Sequence, residues 1–313
     1  MDKEKQRDRR LVLSAGGQQG VAYIGVVQAL ERNFNCRCLN QHYGKFEGTS
    51  AGAMTSFLLS LGFTSLELLL HYQRAPTFCP DMAKIGINFG LSEMKSFAKR
   101  IIIDAMRTRG IDGDRGETLT FRQLAEHTGN TLVIGITIIG REGKSVINSN
   151  AVQASIEFNA SVDTTPDWPV VDCLMASMAI PPLFGPVAIA VGNDETVYAV
   201  DGAMSNGFRF GYESSDSLGI VLKPERSPSL EQGYTPRTHS LMQYLMYMCE
   251  LHFYFLASQR GNDIKTGNVI TIRCTSAAGT IYQPDANAMQ ELISAGEKQT
   301  QDFFEKKKLL LEF

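Results

Sequence analysis

The stretch Phe46-Glu47-Gly48-Thr49-Ser50-Ala51-Gly52-Ala53-Met54 constrains this chain more than any other. It joins an extended run, Lys45-Phe46-Glu47, to a helical one, Ala51 to Leu61, with Gly48-x-Ser50-x-Gly52 at the join. A serine that projects its oxygen from a sharp strand-to-helix turn needs neighbours without Cβ atoms, because side chains there collide with adjacent backbone. Glycine two residues before and two after the serine removes those collisions. The residues that follow are small or apolar with no proline, so a helix can start at the serine and aim its first amides at a developing charge. Purely structural turns share this spacing, so the pattern needs support from elsewhere.

Two other stretches supply it. Leu11-Val12-Leu13-Ser14 reads as a buried strand that opens into Ala15-Gly16-Gly17-Gln18-Gln19-Gly20, followed by an amphipathic helix from Val21 to Glu31. A strand, a glycine loop and a helix make a generic anion cradle, because amides in a flexible turn can converge on one negative group. The G-G-x-x-G spacing breaks the dinucleotide fingerprint, and no Gly-Lys-Ser/Thr follows to make a P-loop. Later, Thr196 to Val200 reads as a strand ending at Asp201-Gly202-Ala203. A serine nucleophile needs a base, and the anion formed on attack needs aligned donors. Asp201 offers the base and the amides of Gly16, Gly17 and Gln18 the donors, with Gly20, Gly48, Gly52 and Gly202 as supporting positions.

The remaining pattern alternates helices and strands. Leu66 to Gln73 and Ser92 to Arg107 read as helices, and Thr120-Phe121-Arg122-Gln123 as a capped helix start. Thr131 to Ile139 is apolar on both faces and reads as a central strand, with Lys144 to Asn148 expected to pair beside it. Val171 to Met178 reads as a short helix stopped by Ile180-Pro181-Pro182. Leu218 to Leu222 and Val269 to Arg273 read as strands, and Thr238 to Gln259 and Gln290 to Leu311 as helices. With no repeat or low-complexity linker, the expectation is a charged tail over residues 1–10 and one α/β domain over 11–313 that ends in a helix. A single strand-loop-helix unit precedes Ser50, which argues against an α/β-hydrolase, where several strands come first.

Composition excludes other classes. A net charge of −3 with no basic stripe does not suit a nucleic-acid binder. The mixed-charge start, Met1 to Arg10, lacks the apolar core of a secretory signal, and no apolar run reaches transmembrane length. Six dispersed cysteines suit reduced thiols and a cytoplasmic setting. Cys36-x-Cys38 has no second pair at zinc spacing, so no metal is expected. His42, His71, His127, His239 and His252 are the alternative bases for a triad, but none lies in a glycine-bounded turn, and packing or surface roles suit them better. The Met and aromatic run Leu241 to Leu256 and the basic end Phe304 to Leu311 suit either core and solvated faces or contact with lipid.

Taken together, about Leu11 to Arg273 resembles the patatin-like phospholipase family. That family carries a glycine-rich oxyanion loop after the first strand, then G-x-S-x-G, then a late D-G-G or D-G-A. The chain has Gly16-Gly17-x-x-Gly20, Gly48-Thr49-Ser50-Ala51-Gly52 and Asp201-Gly202-Ala203 in that order, and Ala176-Ser177-x-Ala179-Ile180-Pro181-Pro182-x-Phe184 matches the helix and turn before the aspartate strand. The resemblance implies a three-layer α/β/α fold with a central, mostly parallel sheet. It also implies a Ser50–Asp201 dyad acyl hydrolase, of phospholipase A or lysophospholipase type, that needs no metal or other cofactor; the alternatives are a small-ester esterase or thioesterase with the same dyad, or a lipid-binding homologue with weakened catalysis. Its substrate would be a phospholipid or other acyl lipid met by peripheral contact with a membrane. Two positions depart from the family's G-G-G-x-[K/R]-G: Ala15 replaces the first glycine and Gln19 the cation.

Overall fold

The fold comes from a computed structural model that describes residues 8–74, 89–111, 118–141, 157–192, 195–209, 216–224, 244–245, 247–249, 251–252, 268–274 and 285–311. The chain begins with β1 (Arg10–Leu13), a 3-10 helix (Gly17–Val21), α1 (Ala22–Phe34), β2 (Lys45–Thr49) and α2 (Ala51–Ser60). Next come α3 (Ser65–Arg74), α4 (Phe89–Thr108), α5 (Phe121–Thr128), β3 (Thr131–Arg141) and β4 (Glu157–Ser161). α6 (Val170–Ser177), β5 (Val187–Ala190), β6 (Thr196–Asp201), β7 (Ser217–Pro224), β8 (Val269–Cys274) and α7 (Ala286–Leu311) complete the order.

Local chemistry sets the boundaries. α1 runs three residues past Glu31 because Asn35, at φ 48, closes it in the left-handed conformation that asparagine tolerates. Val21 belongs to the 3-10 turn rather than to α1, so the glycine loop is itself partly helical. Thr120 and Gln123 form the reciprocal capping box that starts α5. β4 and β5 are strands that the hydropathy pattern does not announce. The expected strand over Lys144 to Asn148 lies outside the described residues, as does most of Thr238 to Gln259, of which Tyr244, Leu245, Tyr247 to Cys249, Leu251 and His252 are helical.

The eight strands form one mixed, mostly parallel sheet flanked by helices, an α/β/α arrangement. β5, β6, β3, β2, β1, β7 and β8 pair in that order, and β4 pairs with β3. The parallel pairs are β1 with β2 and β7, β2 with β3, and β7 with β8. Leu11, Leu13, Phe46, Phe57, Ile134 and Ile136 are fully buried in the main core. Among the described residues no helix is long and apolar enough to cross a membrane.

The long strand β3 decides where the site forms. β2 and β4 both pair with residues 133–135 of β3, so they lie on opposite edges. β4 and β6 both pair with residues 136–137, so they too lie on opposite edges. β2 and β6 therefore share one edge of β3, end to end and running toward each other. Thr49, the last residue of β2, sits opposite Gly135, and Asp201, the last residue of β6, sits opposite Ile136. Two strand ends distant in sequence thus meet at adjacent rungs of a common neighbour.

Candidate functional site

Ser50 stands at this junction, immediately after Thr49. Its backbone has φ 56 and ψ −123, and apart from Asn35 it is the one non-glycine residue with positive φ among the described ones. Such a conformation costs on the order of 1–3 kcal/mol for a residue with a Cβ, and it persists where the surroundings hold it. Here the flanking glycines do so by permitting close approach. A Cβ on Gly48 would fall 2.2 Å from the Gly52 carbonyl oxygen, and one on Gly52 would fall 2.5 Å from the carbonyl oxygens of both Leu13 and Ser14. The strand, the turn and the end of β1 are in backbone contact, which is the collision that the sequence spacing avoids. The Ser50 amide donates to Ser177 Oγ at 2.8 Å, and Ser177 Oγ in turn donates to the Gly135 carbonyl at 2.7 Å.

Ser50 Oγ donates to Asp201 Oδ2 at 2.8 Å. The other carboxylate oxygen, Oδ1, accepts the Ala203 amide at 2.8 Å, and the Asp201 amide donates to the Ala179 carbonyl at 3.0 Å. Gly202 makes the turn that leaves β6, where a Cβ would fall 2.2 Å from the Gly135 carbonyl oxygen. Ser50 and Asp201 are both buried, at 4% and 0% exposure. Burial raises the Asp201 carboxyl to about 7, against the opposing effects of the Ala203 amide, Ser50 and the Arg209 charge. The result is a carboxylate with the basicity of a histidine, hydrogen-bonded to a serine hydroxyl at the head of a helix.

The glycine loop packs against the same helix start, since a Cβ on Gly20 would fall 2.7 Å from Ala51 Cβ. Gly17 has φ +50, and Gly17 and Gln18 open the 3-10 helix, so their amides precede any carbonyl the helix could offer them. Ala15, which stands where the family pattern has glycine, is not among the residues with positive φ and donates its amide to the Gly207 carbonyl at 2.6 Å. Gln19 is buried, and its Nε2 has no hydrogen-bond partner.

Four of the five histidines lie among the described residues. His42 stacks on Phe34 at 3.8 Å, and burial with the nearby Arg9 charge pushes its imidazole down to about 4. His71 lies against Phe63, and His127 in the last turn of α5. His252 Nε2 meets the Met204 carbonyl at 3.1 Å, just past Asp201. His239 lies outside the described residues.

Sequence reasoning missed three participants. Ser177 orients the serine turn, Gly135 leaves room where the two strand ends meet, and Arg209 is buried beside them. Ser177 falls in the motif that resembles the family's helix and turn, and Gly135 carried a physical signal: a glycine inside an apolar strand marks a close backbone approach. A Cβ there would fall 2.5 Å from Thr49 Oγ1 and 2.7 Å from Arg209 Nε.

Comparison with known proteins gives this fold a family. The model of the patatin-like phospholipase family matches residues 11–211, well over half of the chain, and the protein belongs to that family. A curated relative, the "probable lipid hydrolase 463L" of Invertebrate iridescent virus 6, is 27% identical over 203 residues, 64% of this chain. The match spans 61% of that relative's own length. Among solved structures, VipD from Legionella pneumophila superposes with a TM-score of 0.52 at 16% identity, covering 95% of this chain and 67% of that one. That likeness is one of fold. The type III effector ExoU also aligns, with a TM-score of 0.48 at 14% identity, over 96% of this chain and 53% of its own.

Proposed function

We propose that this protein is a serine acyl hydrolase that cleaves carboxylic esters of phospholipids or related acyl lipids, of phospholipase A or lysophospholipase type. The observation that carries the reading is the 2.8 Å hydrogen bond from Ser50 Oγ to a buried Asp201 at the head of α2. Asp201 takes the hydroxyl proton as Ser50 attacks the ester carbonyl. The amides of Gly16, Gly17 and Gln18 stabilise the oxyanion, helped by the positive end of α2. Asp201 then returns the proton to the departing alkoxide, leaving an acyl ester on Ser50. A water molecule, deprotonated by Asp201, attacks that ester, and Asp201 returns the proton to the departing Ser50 Oγ as the fatty acid is released.

An aspartate at its ordinary value of about 3.9 is a poor base for this work. Raised to about 7, Asp201 suits proton transfer at neutral pH and does the work that histidine does in a triad. The lipid substrate class is supported by family membership and by an apolar surface beside the site. Tyr244, Leu245, Met248 and Leu251 are exposed on a helical segment whose Cys249 donates to the Pro181 carbonyl and whose His252 meets the Met204 carbonyl. We read that surface as a peripheral contact with a membrane from the cytoplasmic side. The test is fatty-acid release from a panel of phospholipids, lysophospholipids, short-chain esters and acyl thioesters by the native protein and by Ser50→Ala. Release from the lipid members that disappears in the variant is expected. Turnover restricted to short esters or thioesters would move the substrate class, and equal turnover by Ser50→Ala would overturn the mechanism.

A further inference from the structure

The geometry points to Arg209 as a positioning residue for the dyad, pinning the junction where the Ser50 and Asp201 strands meet and keeping one fixed positive charge there. The inference rests on the dyad reading given above. Arginine is rarely buried, and when it is, its donors must find partners. The Arg209 side chain is 3% exposed. Its Nη2 donates to the Ile136 carbonyl at 3.0 Å and to Ser205 Oγ at 3.4 Å. Its Nη1 donates to Asn159 Oδ1 at 2.8 Å, and its Nε to the Asn206 carbonyl at 3.3 Å. One side chain therefore ties β3, β4 and the turn after β6 together.

The tie falls at the rung that matters. Ile136 is the residue opposite Asp201, and Gly135, opposite Thr49, lacks a side chain where Arg209 lies. Ser205 extends the link, donating to the Gly202 carbonyl at 3.3 Å and meeting Thr137 Oγ1 at 2.8 Å. The short bond from Ser50 to Asp201 needs both strand ends to hold their places on β3, and the guanidinium grips β3 between them and the turn beyond.

The charge has a second consequence. Around the junction, β4 brings Glu157, 3.8 Å from Arg209 and also an acceptor for Asn206 Nδ2, and β6 brings Asp201. β2 brings Glu47, whose carboxylate is paired with Arg10 of β1 at 3.2 Å and lies within the field of Lys45. His252 faces the turn after Asp201. A guanidinium does not give up its proton, so its charge is constant across the working range. It favours the ionised Asp201 and opposes the effect of burial, and Glu157 weakens it.

The test compares pH profiles of fatty-acid release by the native protein, Arg209→Lys, Arg209→Gln, Glu157→Gln and Asp201→Asn. Arg209→Gln should lower the plateau rate about tenfold or more and move the acid limb upward by about half a unit or more. Arg209→Lys should lose rate through its poorer grip and keep the limb in place, because the charge remains. Glu157→Gln, which leaves Arg209 intact, should move the limb downward, and this arm stands even where Arg209→Gln fails to fold. A limb that stays put in Glu157→Gln, or in a folded Arg209→Gln, overturns the inference while an inactive Asp201→Asn leaves the dyad standing. Turnover persisting in Asp201→Asn overturns the dyad reading and this inference with it.

Discussion

The dyad corner and the glycine loop share one helix end yet are built in opposite ways. At the corner every polar atom has a partner: Ser50 Oγ has Asp201, the Ser50 amide has Ser177, and the two carboxylate oxygens divide between Ser50 and Ala203. In the loop, Gly17 takes φ +50, its amide and that of Gln18 precede the helix's own acceptors, and buried Gln19 keeps an unpartnered Nε2. The corner is set by side chains and by strand register, and its hydrogen bonds are in place before any substrate arrives. The loop is set by backbone, and in the proposed mechanism its amides receive the negative charge that forms during attack. Under the proposed mechanism, proton transfer is organised in the resting protein and oxyanion stabilisation is realised only in the transition state.

Substitutions should separate the two regions, with the largest effect at the corner. Asp201→Asn keeps the acceptor for the Ala203 amide and turns the other end into a donor toward Ser50, so the fold survives. An amide cannot take the proton, and kcat should fall by about 10⁴-fold, the scale seen when a catalytic carboxylate becomes an amide elsewhere. The same variant should be the more stable protein at pH 8. A carboxyl raised to about 7 in the fold and near 3.9 when unfolded contributes stability that is complete below about 3.9 and lost as pH rises through about 7. Removing the charge relieves up to about 4 kcal/mol above that range and little at acid pH, and thermal melts at pH 5 and pH 8 read the difference.

The loop should answer on a smaller scale. Gly17→Ala or Gly17→Val should lower kcat by about 10²-fold with little change in KM, the cost of losing one oxyanion donor. The positive φ makes a melt of each variant the necessary companion. Equal losses of stability and turnover would assign the loop to structure alone and end the contrast with the corner.

Smaller again is the response to pH. Asp201 acts as a base only when ionised, so kcat should rise with pH through about 7 and stand about tenfold below its plateau one unit lower. Smallest of all, His42, His71, His127, His239 and His252 changed singly to Gln should each leave activity within about threefold, the range of a substitution away from the chemistry. A histidine variant as damaging as Asp201→Asn, with its fold intact, would replace the dyad with a triad.

Much of this was legible in the sequence. The glycine spacing around Ser50 gave the turn, the apolar run from Thr131 gave β3, and the strand before Asp201-Gly202 gave the second strand end. The register that brings those ends together was not legible, because pairing across 151 positions depends on tertiary packing that no local pattern records. β4 escaped notice because Glu157 and Asn159, which serve Asn206 and Arg209, interrupt its hydrophobicity. β5 is four residues long and alternates buried with exposed, too short to stand out behind Pro181-Pro182. Arg209 carries no local signal, since nothing in the neighbouring sequence marks an arginine as buried.

The most direct test of the account is to treat the protein with a fluorophosphonate that carries an alkyl chain and map the adduct by peptide mass spectrometry. The account predicts one adduct, on Ser50, absent in Ser50→Ala and formed far more slowly in Asp201→Asn. An adduct on another residue, or undiminished fatty-acid release after Ser50 has been replaced, would contradict it.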